Sequence, residues 1–197
     1  MTTETGTIET STLSEYRYKT NSNRLGLWLF IISDAFVFLG LLVSRFYLLG
    51  FDYHPETNQV LGVIITLMLL LSSYTMYRGE VSMSFGDTPG FIRNAMFTMI
   101  LGTLFLIGVV GVEWGTAPAG TADGAVWSLF YTMTGFHAFH VLTGVFIIFT
   151  VWRKARMGKY NSERYWGVEA ATMYWHFVDI VWFFFYPALY LIGKPLM

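Results

Sequence analysis

Five long apolar stretches constrain this chain more than any other feature of its sequence. The hydrocarbon core of a bilayer is about 30 Å thick, and a helix needs about 20 apolar residues to cross it. The stretches are Leu25 to Leu49, Val60 to Tyr77, Ala95 to Val112, Gly124 to Trp152 and Ala170 to Ile192. Backbone groups in lipid must be paired internally, and barrel strands would be shorter and would alternate in polarity. The pattern therefore predicts an all-α fold, an integral membrane bundle of five transmembrane helices.

The composition agrees with a membrane protein and excludes several other classes. Hydrophobic residues make up 54% of the 197 residues and charged residues 13%, whereas a soluble domain carries about a quarter charged residues. The chain has no cysteine, which excludes disulfides, iron–sulfur clusters, thiolate zinc sites and cysteine nucleophiles. A net charge of -1 provides no basic surface for nucleic acid, so we expect no nucleic-acid partner.

The distribution of positive charge predicts the orientation of the bundle. With the N-terminus inside, ten of the 12 Lys and Arg residues fall on the inner side, as the positive-inside rule requires. We therefore expect a cytoplasmic N-terminus and a periplasmic or outer C-terminus. Residues 1–23 are rich in Thr, Ser and Glu and predict a flexible cytoplasmic tail, followed by the membrane domain of residues 24–197. Pro187 predicts a kink near the outer end of the fifth span.

Ionisable side chains inside the spans need partners, because a charge at the bilayer centre costs several kcal/mol. They are Asp34 in the first span, His137 and His140 in the fourth, and His176 and Asp179 in the fifth. At 1.5 Å per residue, Asp34 and Asp179 lie about 14 Å from the inner ends of their helices and His140 about 18 Å. We therefore expect Asp34, His140 and Asp179 to lie on inward faces and to be hydrogen-bonded within the bundle.

Three functions fit this set of polar residues. Three histidines and two carboxylates could ligate zinc, copper or iron. The same groups could instead relay protons, or they could form a hydrogen-bonded cluster that fixes helix packing. Spacing alone favours the structural cluster over the proton relay and the metal site.

Further polar residues lie at the predicted membrane borders. Glu113 and Glu169 lie at opposite borders, and Arg78 lies beside Glu80 at the inner end of the second span, where it could pair with Glu80 or with a lipid phosphate. The candidate lipid-headgroup residues are Arg78, Arg93, Trp152 and Arg153.

Two long motifs resemble those of a known family. Residues 131–141, YTMTGFHAFHV, resemble the TGFHGxHV signature of subunit III of haem–copper terminal oxidases, and residues 169–182, EAATMYWHFVDIVW, resemble its E-x(4)-YWHFVDxVW signature. Ser33-Asp34 resembles the first helix of the five-helix bacterial form, which has Ser-Glu or Ser-Asp there. Glu113-Trp114 stands where the family has a Glu followed by an aromatic residue.

The resemblance implies a subunit without its own redox centre. In this family the haems and copper belong to subunit I and, in cytochrome c oxidases, a further copper centre belongs to subunit II, so no cofactor is expected in this chain. The histidines then become packing and hydrogen-bonding residues, and Asp34 matches a buried carboxylate that is Glu in many members. The resemblance implies docking on subunit I in a complex with subunit II, binding of membrane phospholipids, and support of proton uptake and oxygen access in the cell inner (plasma) membrane.

Some alternatives stay open within and outside this resemblance. Long members have seven helices, the first two forming one arm of a lipid-filled cleft, and those two are absent here. Short forms occur in cytochrome c oxidases and quinol oxidases, and related proteins accompany nitric oxide reductases; the wording of the second motif favours the cytochrome c branch. A stand-alone proton channel or small transporter would use the same buried ionisable residues.

Overall fold

Long helices dominate the computed structural model, which describes residues 3–50, 52–53, 59–116, 124–192 and 194–195. The helices are α1 (Thr3–Leu49), α2 (Gln59–Ser84), α3 (Thr88–Leu106), α4 (Trp114–Thr116), α5 (Gly124–Arg156) and α6 (Trp166–Tyr186). Two π-helical segments, π1 (Ile107–Glu113) and π2 (Pro187–Leu191), continue α3 and α6. Two short strands, β1 (Asp52–Tyr53) and β2 (Lys194–Pro195), pair in parallel.

The predicted all-α bundle is confirmed. Five of the described helices are long, and four helical stretches of the described chain are long and apolar enough to cross a membrane: Ser14–Leu48, Gln59–Ser84, Thr88–Glu113 and Trp127–Arg156. The fifth predicted span corresponds to α6, which is 21 residues long and contains many Trp, Tyr and polar residues that lower its hydropathy.

The chain divides into two compact units, residues 1–36 and residues 37–197. In the first unit α1 begins at Thr3, so most of the predicted flexible tail has helical conformation. An exposed Lys19–Glu15 pair at 2.8 Å joins two residues four apart, and such pairs favour helix even in a polar segment. The mobility of this segment stays a prediction.

The connection between α2 and α3 explains why both helices extend beyond their apolar stretches. Gly86 has a φ of 80°, a backbone conformation that favours glycine, and closes α2. Asp87 then caps α3, since its side chain accepts a 3.0 Å hydrogen bond from the backbone N–H of Gly90. The predicted borders at Tyr77 and Ala95 are the limits of the apolar sequence. The helices extend beyond these limits, to the turn at Gly86 and to the cap at Asp87.

The π-helical segments lie at the predicted outer ends of α3 and α6. Pro187, where the sequence predicts a kink, begins π2, and its carbonyl accepts a 2.8 Å bond from the N–H of Ile192, five residues on. Likewise the N–H of Trp114 donates to the carbonyl of Val109. Both helices therefore change from α-helical to wider hydrogen bonding before they end.

Trp175 occupies the centre of the second unit. Its ring is fully buried between glycines of two other helices: a methyl group at Gly102 of α3 would lie 2.6 Å from the ring, and one at Gly144 of α5 would lie 2.8 Å from it. Its Nε1–H donates to Ser72 of α2 at 3.1 Å. One side chain of α6 thus connects four helices, and only glycine leaves room for it on α3 and α5.

Candidate functional site

Hydroxyl groups on α2 pair with ring N–H groups and histidine nitrogens on α6. Ser72 accepts from Trp175, and Thr66 accepts from Trp182 Nε1 at 3.0 Å. Ser73 shares a 2.6 Å hydrogen bond with His176 Nδ1. These contacts repeat along the antiparallel helices, so the interface between α2 and α6 is polar at its centre although both helices are apolar overall.

Asp179 lies on the same interface, one turn from His176. The residue is 6% exposed, and Ser73 is its polar neighbour on α2. Among the described residues neither carboxyl oxygen of Asp179 has a hydrogen bond of regular geometry. Nearer the inner end, Glu80 of α2 approaches Thr172 and Glu169 of α6. His176 and Glu169 are half-buried. The interface thus carries three of the residues that sequence reasoning selected, Glu169, His176 and Asp179, spread along α6.

The two histidines of α5 are buried in different surroundings. His137 is fully buried in an aromatic shell, with ring centroids 5.0 Å from Trp182 and 5.7 Å from Phe105, and neither of its nitrogens has a hydrogen-bond partner in the described part of the chain. His140 Nδ1 lies 2.7 Å from the carbonyl of Phe136 in its own helix. The histidines share a face, as their spacing predicts, but they are held separately.

A second polar group lies at the outer end, between π1 and π2. The Tyr190 hydroxyl donates a hydrogen bond to Glu113 Oε1, and both side chains are buried. The neighbouring Trp114 Nε1–H donates to Thr134 of α5 at 3.1 Å. Glu113, predicted as a border residue, therefore links two helix ends.

Arg45 is a structurally important residue that the sequence did not single out. It is 2% exposed, and its guanidinium donates to the carbonyl of Ala188 at 3.0 Å, to that of Gly50 at 3.0 Å and to that of Ile192 at 3.3 Å. An arginine inside an apolar span is itself a signal of a buried partner. Two of its partners, the carbonyls of Ala188 and Ile192, lie 143 and 147 residues away and have no signature in the sequence.

The remaining predicted residues lie near the inner end or along α1. Asp34 is half-buried, and Arg78, Arg93 and Arg153 are exposed. Trp152 is half-buried and stacks beneath Arg156, whose guanidinium carbon lies 4.9 Å from the ring centroid. Among the described residues Arg78 forms no ion pair with Glu80, and its side chain is exposed.

Several of the polar groups form pairs between helices, and the groups do not converge on one point. In the described ranges no group of three or more His, Asp and Glu side chains could hold a metal ion. The arrangement can stabilise helix packing.

Comparisons with known proteins identify similar chains across nearly the full length. The family model for cytochrome c oxidase subunit III matches residues 8–194. Cytochrome c oxidase subunit 3 of Thermostichus vulcanus is 36% identical over 176 residues, which cover 86% of this chain and 87% of the relative. The subunit of the same name from Synechocystis sp. is 33% identical, with 85% and 74% covered, and that of Gadus morhua is 34% identical, with 87% and 70% covered.

Proposed function

Because the chain belongs to the cytochrome c oxidase subunit III family, we propose that it is the non-catalytic subunit III of a bacterial cytochrome c oxidase. The holoenzyme would reduce oxygen to water and conserve energy as a proton gradient, with haem and copper held by subunits I and II. The family match over residues 8–194 carries this proposal. The hydrogen-bonded side-chain pairs between α2 and α6 support a structural role for this chain within that complex.

The apolar outer surface supports docking within a membrane complex. Large apolar side chains are exposed on every long helix, including Leu70 on α2, Phe97 on α3, Phe146 on α5 and Phe183 on α6. Lipid and subunit I are the surroundings that would cover such side chains. We place the chain in the cell inner (plasma) membrane with its basic loops in the cytoplasm, as the positive charges at the inner helix ends predict.

Proton uptake is the activity that this subunit would support without redox chemistry of its own. A carboxylate at Asp34 and a basic inner face would shape the local potential near the proton entrance of subunit I. Loss of the subunit should leave the initial rate of oxygen reduction largely intact and shorten sustained turnover, because slow proton delivery leaves the active site longer in reactive intermediates.

The experiment compares oxygen consumption over many turnovers at matched haem content. The samples are the complete complex, the complex without this subunit, and complexes carrying Asp34→Ala or Asp34→Glu. Asp34→Ala should inactivate earlier than wild type with assembly preserved, and Asp34→Glu, which keeps the carboxylate, should behave as wild type. A depleted complex with no initial activity, or one as durable as the complete enzyme, would contradict the supporting role.

Purification in mild detergent tests the family-level alternatives. Co-purification with a haem-containing complex supports the oxidase, and the electron donor that this complex accepts separates cytochrome c from quinol. A nitric oxide reductase partner would reduce nitric oxide instead of oxygen. A colourless homo-oligomer that conducts protons in vesicles would establish a stand-alone channel or transporter and overturn the proposal.

A further inference from the structure

A pocket of about 470 Å³ lies at the inner end of α2, outside the contacts described above. Its polar lining consists of Tyr74, Tyr77, Arg78, Ser82 and Asp87. The α2 members are spaced three, four and eight residues from Tyr74, so they form one stripe along the helix. Asp87 joins them from the turn that caps α3. The pocket therefore combines one cation, one anion and three hydroxyl groups within a single stripe and turn.

The two charged side chains of this pocket, Arg78 and Asp87, form no ion pair with other described residues. Among the described residues the Arg78 guanidinium has neither a hydrogen-bond nor a carboxylate partner. One carboxylate oxygen of Asp87 accepts from Gly90, and the cap leaves the other available. The pair Arg78 and Asp87 forms no salt bridge in the structure, although both residues line the same pocket. A ligand with one negative and one positive group would satisfy both side chains.

The location of the pocket indicates a lipid rather than a soluble ligand. It lies at the end of a helix long and apolar enough to cross a membrane, at the depth where tyrosines and arginines reach the headgroups. Tyr74, Tyr77 and Phe85 are 55%, 55% and 84% exposed, and Val81 also lines the pocket. Exposed aromatic rings beside the charged groups provide an apolar wall for the glycerol and upper acyl chain of a phospholipid.

We propose that this pocket binds the headgroup of a phospholipid that carries a primary ammonium, such as phosphatidylethanolamine. The phosphate is bound by Arg78 and the tyrosine hydroxyls, and the ammonium is bound by Asp87. An anionic lipid with an uncharged alcohol, such as phosphatidylglycerol, would offer its phosphate to Arg78. It would offer no cation to Asp87, whose negative charge would then lie near the phosphate. Such a site rests on the lipid binding proposed above and narrows it to one headgroup chemistry and one place.

The test counts retained lipids on the oxidase complex that contains the full chain. The purified complex is washed with detergent, equilibrated with vesicles of equal phosphatidylethanolamine and phosphatidylglycerol, re-extracted in mild detergent and examined by native mass spectrometry. Arg78→Ala should lower retention of both lipids about tenfold, since a hydrogen-bonded charged contact is lost. Asp87→Asn keeps an effective helix cap but removes the charge, and it should shift the preference toward phosphatidylglycerol.

Controls separate this site from general lipid binding and from the proposed function. Lys154→Ala removes an exposed positive charge at the end of α5 that does not line the pocket, and it should retain lipids as wild type does. Unchanged headgroup preference in Asp87→Asn, or unchanged lipid retention in Arg78→Ala, overturns the proposed site. A pocket that another subunit covers in the complex would give the same unchanged results and would overturn it too. The haem spectrum of the same preparation reports assembly with the oxidase, so failure of the proposed function is seen independently of the lipid count.

Discussion

The outer end of the bundle and its centre are held together by different kinds of polar contact. At the outer end, the charged Arg45 and the carboxyl of Glu113 bind groups at the ends of other helices. At the centre, neutral hydroxyls of Ser72 and Ser73 pair with Trp175 and His176. Both regions are buried, so burial alone does not decide which kind of contact forms.

The difference follows from the state of the backbone. In the centre each helix satisfies its own backbone N–H and C=O groups. Only the polar side chains there still need partners, and neutral hydrogen bonds between them are enough. At a helix end the last carbonyls have no partner within the helix, and in apolar surroundings they need strong donors. Arg45 supplies such donors to Ala188 and Ile192, at π2 and just beyond it. The comparison predicts that substitutions at the outer end cost more stability than the loss of polar contacts at the centre.

The largest effect is expected for Arg45→Met, which removes the donors to three carbonyls at the outer end. Leaving these neutral carbonyls without a donor should cost about 3–5 kcal/mol in total, since one unsatisfied buried acceptor costs about 1–3 kcal/mol. For a chain of this size the temperature at which the subunit dissociates on heating should fall by about 10 °C. Arg45→Lys keeps the charge with fewer, differently placed donors and should give an intermediate value. A Met variant as heat-stable as wild type would show that the carbonyls find other partners.

Gly102→Ala tests whether the centre depends on close packing more than on its hydrogen bonds. The added methyl group would meet the Trp175 ring at 2.6 Å, and overpacking of this kind costs about 1–3 kcal/mol. Gly40→Ala on α1 is the matched control, because nothing lies within 4 Å of its added methyl group, and it should be neutral or stabilising. Equal thermal stability of the two variants, measured by subunit retention on heating, would contradict the role of Gly102.

Tyr190→Phe removes the hydroxyl that binds Glu113 and leaves a buried acceptor without this donor. We expect a loss of about 1–3 kcal/mol, the cost of an unsatisfied buried group. Glu113→Gln keeps an acceptor for the same hydroxyl and should cost less. The ranking of these two variants is obtained from thermal dissociation of the purified complex; the reverse ranking would mean that the charge of Glu113 matters more than the hydrogen bond.

The sequence allowed prediction of the helices but not of their rotational alignment. The length of the apolar stretches predicts the five long helices. The predicted borders at Tyr77 and Ala95 miss the polar turns that α2 adds before Gly86 and α3 adds after Asp87. Depth along a helix predicts that Asp34, His140 and Asp179 face the interior; in the structure His140 and Asp179 are buried and Asp34 is half-buried. It does not reveal the direction in which a side chain points.

The unpredicted contacts join residues far apart in sequence. His176 pairs with Ser73, 103 positions away, and Tyr190 pairs with Glu113, 77 positions away. Which helices are neighbours, and how each is rotated, is decided by the packing of Trp175 against glycines and by other side-chain shapes that no local pattern records. An arginine in a span and a proline near a helix end were the available sequence signals. They indicate that polar contacts lie at the outer end, but they do not indicate which residues Arg45 and Glu113 bind.

The smallest effect is expected for Ser73→Ala at the centre. The substitution removes the hydrogen bond to His176, and contacts of this kind between membrane helices average about 0.6 kcal/mol. His176 is half-buried, so its nitrogen can find another partner after the change. Ser84→Ala on the same helix is the matched control, since its hydroxyl donates to the carbonyl of Val81 within α2 and not to another helix.

Thermal dissociation should place Ser73→Ala slightly below Ser84→Ala and well above Arg45→Met. If Ser73→Ala destabilised the subunit as strongly as Arg45→Met, the neutral pairs of the centre would matter as much as the charged contacts of the outer end, and the contrast between the two regions would be wrong.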